Sequence, residues 1–332
     1  MTTALKQRIF SGVQPSGNLH IGNYLGAIRQ WVDLYEEYES IFCVVDYHAI
    51  TVPQNPEQLN KKILEIAKIY IACGIDPDKA IIFKQSDISA HAELCWILNA
   101  VSARMSDLNK MTQFKDKSNN SSANVGVGLF DYPVLMTADI LLYNTDIVPV
   151  GEDQLQHVEL ARDLATRFNH DYAPVFTIPT ARIMKDGARI MGLDNPEKKM
   201  SKSAPSAQNR IELLDDLVLA KKKIMRATTD MGSEVIFDSA NKPGIANLLA
   251  IYSLLGKIEI TELEKKYAGK LYGEFKKDLA EITADFLNSF QKRYQKISDA
   301  EIKEILFSGA VKIRPLADET LAKVKRAIGV GV

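Results

Sequence analysis

Ile9-Phe10-Ser11-Gly12-Val13-Gln14-Pro15-Ser16-Gly17-Asn18-Leu19-His20-Ile21-Gly22-Asn23-Tyr24 reads as a short buried strand, a tight turn rich in glycine and proline, and the start of a helix. In a parallel α/β sheet, the crevice beyond a strand's C-terminal end, beside a helix N-terminus, presents unpaired backbone N–H groups to an anion. Gly12, Gly17 and Gly22 carry no Cβ, so a ligand can come close to the backbone. The spacing is neither G-x-G-x-x-G nor G-x-x-x-x-G-K-[ST], so neither the dinucleotide fingerprint nor the P-loop is indicated. His20-Ile21-Gly22-Asn23 remains distinctive, although His20 taken alone also fits a surface or capping histidine.

Outward from this stretch, strand and helix signals alternate. Tyr24, Leu25, Ile28, Trp31, Val32 and Tyr35 recur at helical spacing. Ile41 to Val45 is continuously apolar, as a strand covered on both faces should be, and ends in Asp46-Tyr47-His48 at the sheet edge expected for Gln14 and His20. Asn55-Pro56-Glu57 opens a helix that should close at Gly74. Ala80 to Phe83 is a third strand, and His91 to Leu98 begins another helix. Ile147 to Val150, the turn Gly151-Glu152-Asp153 and an amphipathic helix from Gln154 to Phe168 repeat the opening pattern. This alternation predicts an α/β fold with a parallel sheet and right-handed crossovers. Past Ile211 the strand signals fade, and segments from Ile211, Ala246, Thr261, Phe275 and Ile302 have helical period, with Gly256, Gly269 and Gly309 as breaks. A helical second domain from about residue 194 is the simplest division.

The totals fit two folded units. With 332 residues, 46% hydrophobic and 25% charged, the chain has ample core and no signature of disorder. The net charge of −1 hides an asymmetry. Residues 194–332 carry 24 Lys and Arg against 20 Asp and Glu, leaving 17 against 22 for residues 1–193. The C-terminal part is therefore the better face for a polyanion. Lys221-Lys222-Lys223 and Lys292-Arg293 are its basic clusters, with a solvated surface as their ordinary role. Cys43, Cys73 and Cys95 lie in apolar runs without C-x-x-C spacing, which favours buried thiols over a zinc site. The segment Met1 to Lys6 has no apolar signal core, and no apolar run approaches the roughly 18 residues of a membrane span. A cytoplasmic protein with no membrane partner is expected.

Three further stretches bear on chemistry. Pro133 suits the first turn of a helix on which Tyr132, Met136, Asp139 and Tyr143 share a face. A carboxylate on so apolar a helix needs a partner, either from the protein itself or from a ligand. Gly151-Glu152-Asp153 offers carboxylates to ribose hydroxyls, or Asp153 merely caps the following helix. Lys198-Lys199-Met200-Ser201-Lys202-Ser203 is a cluster able to grip a polyphosphate, or an exposed linker. Ser118 to Ser122 reads as a polar surface loop.

The opening turn and the lysine cluster together resemble the paired signatures of class I aminoacyl-tRNA synthetases. Gly12 to Gly17, His20 to Asn23, Met111-Thr112-Gln113-Phe114-Lys115, Ala138 to Tyr143, Gly151 to Gln154 and Lys198 to Ser203 match, in order, the pattern of the bacterial tryptophanyl-tRNA synthetases. The resemblance implies a Rossmann-like catalytic domain over residues 1–193, with an inserted dimerisation and substrate segment at about 105–170. It further implies a signature loop and helical tRNA anticodon-binding domain over 194–332. The implied activity joins L-tryptophan to ATP as an adenylate, releasing pyrophosphate, and transfers tryptophan to tRNA(Trp). The implied ATP contacts are Gln14, Pro15, Ser16, Gly22, Asn23, Gly151, Glu152, Asp153, Ile190, Lys199, Met200, Ser201, Lys202 and Ser203. The catalytic set is His20, Asn23, Lys117, Lys199 and Lys202. Tryptophan falls to Asp139 as acceptor of the indole N–H, with Met136 on the ring and Tyr132 and Gln154 near the polar end. Mg²⁺ with ATP and a homodimer are also implied, with no metal held by protein ligands. One departure is Ala204, where relatives commonly carry Asp. The nearest alternative is a tyrosyl-tRNA synthetase; a small nucleotidyltransferase and a catalytically silent tRNA-binding paralogue are more distant.

Overall fold

A computed structural model describes residues 6–111, 126–183, 189–202 and 204–331. The chain divides into two compact units. The first comprises Met1–Ser16, Trp31–Met184 and Ser298–Val332, and the second Gly17–Gln30 and Lys185–Ile297.

The first unit is built on five parallel strands, β1 Arg8–Val13, β2 Glu39–Val44, β3 Ile81–Lys84, β4 Ile147–Val150 and β5 Thr180–Ile183, in the order β3-β2-β1-β4-β5. This is the Rossmann-like arrangement, in which the strand order reverses between β1 and β4. Those two strands pair at Ile9 and Ile147, near their starts, which leaves their C-terminal ends room to part. β2 is buried from Ser40 to Val44, in keeping with its unbroken apolar run. The helix Pro56–Cys73 is capped by Asn55, whose side chain accepts the Gln58 N–H at 3.0 Å, and ends at Gly74 with φ +114°. Cys43, Cys73 and Cys95 are buried free thiols.

Three expectations need correction. Pro133 lies inside the helix Val127–Leu141 rather than in its first turn. Packing of Leu129, Val134, Ala138 and Leu141 against the core outweighs the one intrahelical bond that proline forgoes. Residues from Ile211 do not open a helix; Ile211 and Leu213 bond to the backbone of Ile21 and Leu19, and helix begins at Leu217. Gly309 is not a break but lies within the helix Asp299–Ile328, which belongs to the sheet unit. The division at residue 194 therefore differs from the grouping in the structure. The cause is the apolar stripe Ile302, Leu306, Ala310, Ile313, Ala317, Leu321 and Val324, which is buried as this helix packs against the edge strand β3. A Cβ at residue 309 would fall 1.9 Å from the Ile82 carbonyl oxygen, so glycine is required there.

The second unit is mainly helical, with helices Leu217–Met225, Pro243–Gly256, Ile260–Lys266 and Tyr272–Lys296. Phe275, Leu279, Leu287 and Phe290 bury one stripe of the longest helix. Lys221 and Lys223 are not a loose basic patch: Lys223 is buried against Asp215 at 2.6 Å, and Lys221 pairs with Glu281 at 2.6 Å.

Gly309→Ala is expected to cost about 1–3 kcal/mol by overpacking, whereas at a solvent-facing helix position it would stabilise by about 1 kcal/mol. The sign of the shift in an equilibrium urea unfolding curve checks this.

Candidate active site

In the sheet unit, chemistry-bearing side chains follow directly on strand ends. Gln14, just past β1, donates from Nε2 to the His48 carbonyl at 2.8 Å, and Pro15 is buried beside it. Past β2, Asp46 accepts from the Ser86 N–H at 2.9 Å and the Ser86 hydroxyl at 2.5 Å. Past β3, Gln85 accepts the Tyr47 N–H on Oε1 at 3.0 Å. Past β4 come Gly151, Glu152 and Asp153, all exposed, with Asp153 accepting from Gln154 Nε2 at 3.0 Å. A Cβ at Gly151 would lie 2.9 Å from Asp153 Oδ1, a contact that the exposed Asp153 side chain could relieve by moving. Gln154, not Asp153, occupies the cap position of the next helix, Leu155–Asp171, and makes no side-chain capping bond. Glu152 and Asp153 lie exposed at the switch point of the sheet, where ligands of such folds bind.

Among the described residues Asp139 is the most enclosed carboxylate of the unit, 1% exposed. His48 Nε2 lies 2.8 Å from Oδ2, while Gln85 Nε2 and His91 Nδ1 each lie 2.7 Å from Oδ1. Burial by itself would raise its pKa, but hydrogen bonds and charge from His48 and His91 outweigh that and hold it at about 2. Asp139 therefore has partners in the protein itself. Tyr132, one face-neighbour along the helix, bonds through its hydroxyl to His157 Nε2 at 3.0 Å and packs edge-on to the His48 ring. Burial pushes the Tyr132 phenol up to about 12, so it stays protonated. Met136 is half-buried against the same core.

In the helical unit the two distant signatures meet. His20, 2% exposed, pairs in antiparallel fashion with Glu212, and the Ile21 N–H donates to the Ile211 carbonyl at 2.9 Å. Asn23 Oδ1 accepts the His20 N–H at 3.1 Å, and a π-helical turn follows over Tyr24–Ile28. A Cβ at Gly22 would lie 3.0 Å from His20 Nδ1 and 3.4 Å from Met200 Sδ; one at Gly17, with φ +62°, would lie 3.4 Å from the Lys202 stem. Burial first, then the charges of Lys202, Arg210 and Lys199, push the His20 imidazole down to about 3, so it is neutral at physiological pH.

The base of the lysine segment is a small hairpin. Met191 pairs with Lys199, the Met200 N–H donates to the Ile190 carbonyl at 3.0 Å, and the Gly192 N–H to the Lys198 carbonyl at 2.8 Å. Asn247 grips Met191 through both its N–H at 2.8 Å and its carbonyl at 2.9 Å. Asn209 accepts the Ser201 N–H at 3.1 Å and donates to Asp194 at 2.7 Å. Ile190 and Met200 are buried, Lys199 is exposed, and Ser201 and Lys202 are half-buried. Lys117 and Ser203, with Thr112 to Lys115, lie outside the described residues.

Sequence reasoning did not single out Gln85, His91, His157, Asn209 or Asn247 as site residues. Gln85 directly follows a strand end and was within reach of that rule. The two asparagines carry no signal, because their partners, the Ser201 N–H and Asp194 carboxylate for Asn209 and the Met191 backbone for Asn247, lie 8 to 56 residues away in sequence.

The His20 shift has a sign that stability measurements can read. An unfolded histidine takes up its proton near pH 6.5, whereas the folded one resists down to about pH 3. Between those values the unfolded chain binds more protons, so stability falls on acidification. From pH 6.5 to pH 5 the His20 share is about 2 kcal/mol. A His20→Asn variant should lose that much less stability over the interval, as measured by urea unfolding at each pH; an unchanged slope would contradict a buried neutral imidazole.

Residues 3–288 match the family described as tRNA synthetases class I (W and Y). A tryptophan–tRNA ligase of Caldanaerobacter subterraneus subsp. tengcongensis is 53% identical over 323 residues, 97% of this chain and 98% of that protein. One of Bacillus subtilis is 52% identical over 328 residues, 98% and 99% of the respective chains. Among solved structures, tryptophanyl-tRNA synthetase of Mycoplasma pneumoniae has a TM-score of 0.93 at 35% identity, covering 98% of this chain and 99% of that one. The Campylobacter jejuni enzyme, complexed with ADP and tryptophan, has a TM-score of 0.83 at 38% identity, covering 98% and 100%. The chain belongs to the class I tRNA synthetases of the tryptophan and tyrosine family.

Proposed function

We propose that the chain activates L-tryptophan with ATP and then esterifies it to the 3′ end of tRNA(Trp). In the first step a tryptophan carboxylate oxygen bonds to the α-phosphorus, the bond to the β-phosphate bridge breaks, and pyrophosphate leaves. In the second a hydroxyl of the terminal ribose attacks the activated carbonyl and AMP leaves. No protein nucleophile is needed; the work is positioning and charge stabilisation.

The observation that carries the choice of tryptophan is the buried, ionised Asp139 on a helix face shared with Tyr132 and Met136. A buried acceptor selects for an N–H donor, because a ligand without one leaves the carboxylate short of a partner. We assign the indole N–H to Asp139, the ring to Met136, and the polar end of tryptophan to Tyr132 and Gln154. In the sheet unit the ATP contacts fall on Gln14, Pro15, Ser16, Gly151, Glu152 and Asp153. In the helical unit they fall on Gly22, Asn23, Ile190 and Lys199 to Ser203. Lys117 adds a phosphate contact. His20, being neutral, serves as a hydrogen-bond partner rather than a cation, and Lys199 and Lys202 bear on the charge that develops as pyrophosphate departs. Among the described residues no cluster of three His, Cys, Asp or Glu side chains is placed to hold a metal; Mg²⁺ enters with ATP as part of the substrate. The proposal extends to a cytoplasmic homodimer that contacts tRNA through residues 194–332. No single helix among the described residues is long and apolar enough to cross a membrane.

Pyrophosphate exchange with each of the twenty amino acids should proceed with tryptophan alone, and Asp139→Asn should weaken tryptophan binding by about tenfold or more. Exchange driven by tyrosine, or unchanged affinity by calorimetry in that variant, would overturn the assignment. Lys202→Ala should slow single-turnover adenylate formation by about 10²–10³-fold, with tryptophan affinity left within about twofold because the lysine acts on the phosphates.

A further inference from the structure

The Asp139 carboxylate terminates a hydrogen-bonded chain that adenylate formation does not use. Tyr143 Oη lies 2.7 Å from His91 Nε2, and His91 Nδ1 lies 2.7 Å from Asp139 Oδ1. His91, Gln85 and Tyr143 are all 0% exposed, and Phe83 stacks on the His91 ring at 5.9 Å between centroids.

Chemistry sets the direction of each bond. An ionised carboxylate only accepts, so His91 Nδ1 carries a proton. On its other side the ring is held through Nε2 by the Tyr143 hydroxyl. Gln85 is oriented as well, because its Oε1 is taken by the Tyr47 N–H at 3.0 Å and its Nε2 must face Asp139. His48 donates to Oδ2. Of roughly four acceptor positions on a carboxylate, described residues fill two on Oδ1 and one on Oδ2. Among the described residues the position left over is on Oδ2.

We infer that Tyr143 and His91 are specificity-positioning residues. They lock the ring orientation that points an N–H at Oδ1, and so, among the described residues, leave Asp139 an acceptor position on Oδ2 for the ring N–H of the amino acid. This inference rests on Asp139 being the indole acceptor. Without the Tyr143 hydroxyl, His91 Nε2 loses its partner and the ring is held from one side only. The N–H then drifts from the line to Oδ1, and the carboxylate turns away from the geometry that rewards a donor on the ligand. A ring of the same shape with no donor gains nothing from the locked geometry and loses little when the lock is removed.

The test compares adenylate formation from L-tryptophan with that from β-(3-benzothienyl)-L-alanine, in which sulfur replaces the indole N–H. The wild-type chain should favour tryptophan in kcat/KM by about 10²-fold or more. Tyr143→Phe should cut that preference by about tenfold, through the KM for tryptophan, with kcat and the analogue's kcat/KM each within about threefold. His91→Asn, whose amide can still donate near the Nδ1 position, should retain more of the preference than His91→Leu. A uniform fall for both amino acids in Tyr143→Phe and His91→Leu, or equal preference in the two His91 variants, would overturn the inference and leave the chain as core packing. Should Tyr143→Phe fail to fold, the His91 pair decides on the same criterion. Asp139→Asn separates the two claims: if it leaves the preference intact, the indole assignment itself falls, whereas loss in Asp139→Asn with no loss in the other variants refutes the positioning role alone.

Discussion

Parallel pairing obliges every strand of a sheet to end at the same edge, and most of what the sheet unit can do follows from that constraint. Gln14 follows β1 directly, Gln85 follows β3 and Gly151 follows β4, while Asp46 and His48 lie just beyond β2. The connections from β2 to β3 and from β4 to β5 run back through the helices Pro56–Cys73 and Leu155–Asp171, so the turns that follow the strand ends gather at one edge. The reversal of strand order between β1 and β4 then separates the turns carrying Gln14 and Gly151 instead of stacking them.

The helical unit meets a different demand, that of keeping several cations near one buried imidazole. His20 lies under the influence of Lys202, Arg210 and Lys199, and burial prevents it from adding a charge of its own. The lysine segment is held through main-chain groups by Asn209 and Asn247, which fix its base while leaving the Lys199 side chain exposed. An amide suits this task because it donates and accepts at once, as a strand would, and brings no charge.

Much of this was legible in the sequence. Four strands, the Asn55-capped helix, the shared face of Tyr132, Met136, Asp139 and Tyr143, and the pairing of His20 to Asn23 with Lys198 to Ser203 all follow from period, turn chemistry and resemblance. β5 escaped notice because Thr180–Ile183 is short, mostly exposed and carries Arg182, so it lacks the apolar run of a covered strand. The Pro133 and Gly309 readings erred for a common reason. Both residues break helices by local preference, and both are overruled by what the helix packs against. Asp139 could be marked as a carboxylate in need of a partner, but its donors come from three elements 48 to 91 residues away in sequence, a distance no local pattern spans.

The placement of the helix Asp299–Ile328 on β3 bears on how the chain is made. The sheet unit takes in segments from both ends of the described chain, and its edge strand stays bare while more than two hundred intervening residues are being translated. During synthesis the nascent sheet is therefore an open template. Cover for β3, and with it protection against pairing with a neighbouring nascent chain, waits until Asp299–Ile328 has left the ribosome.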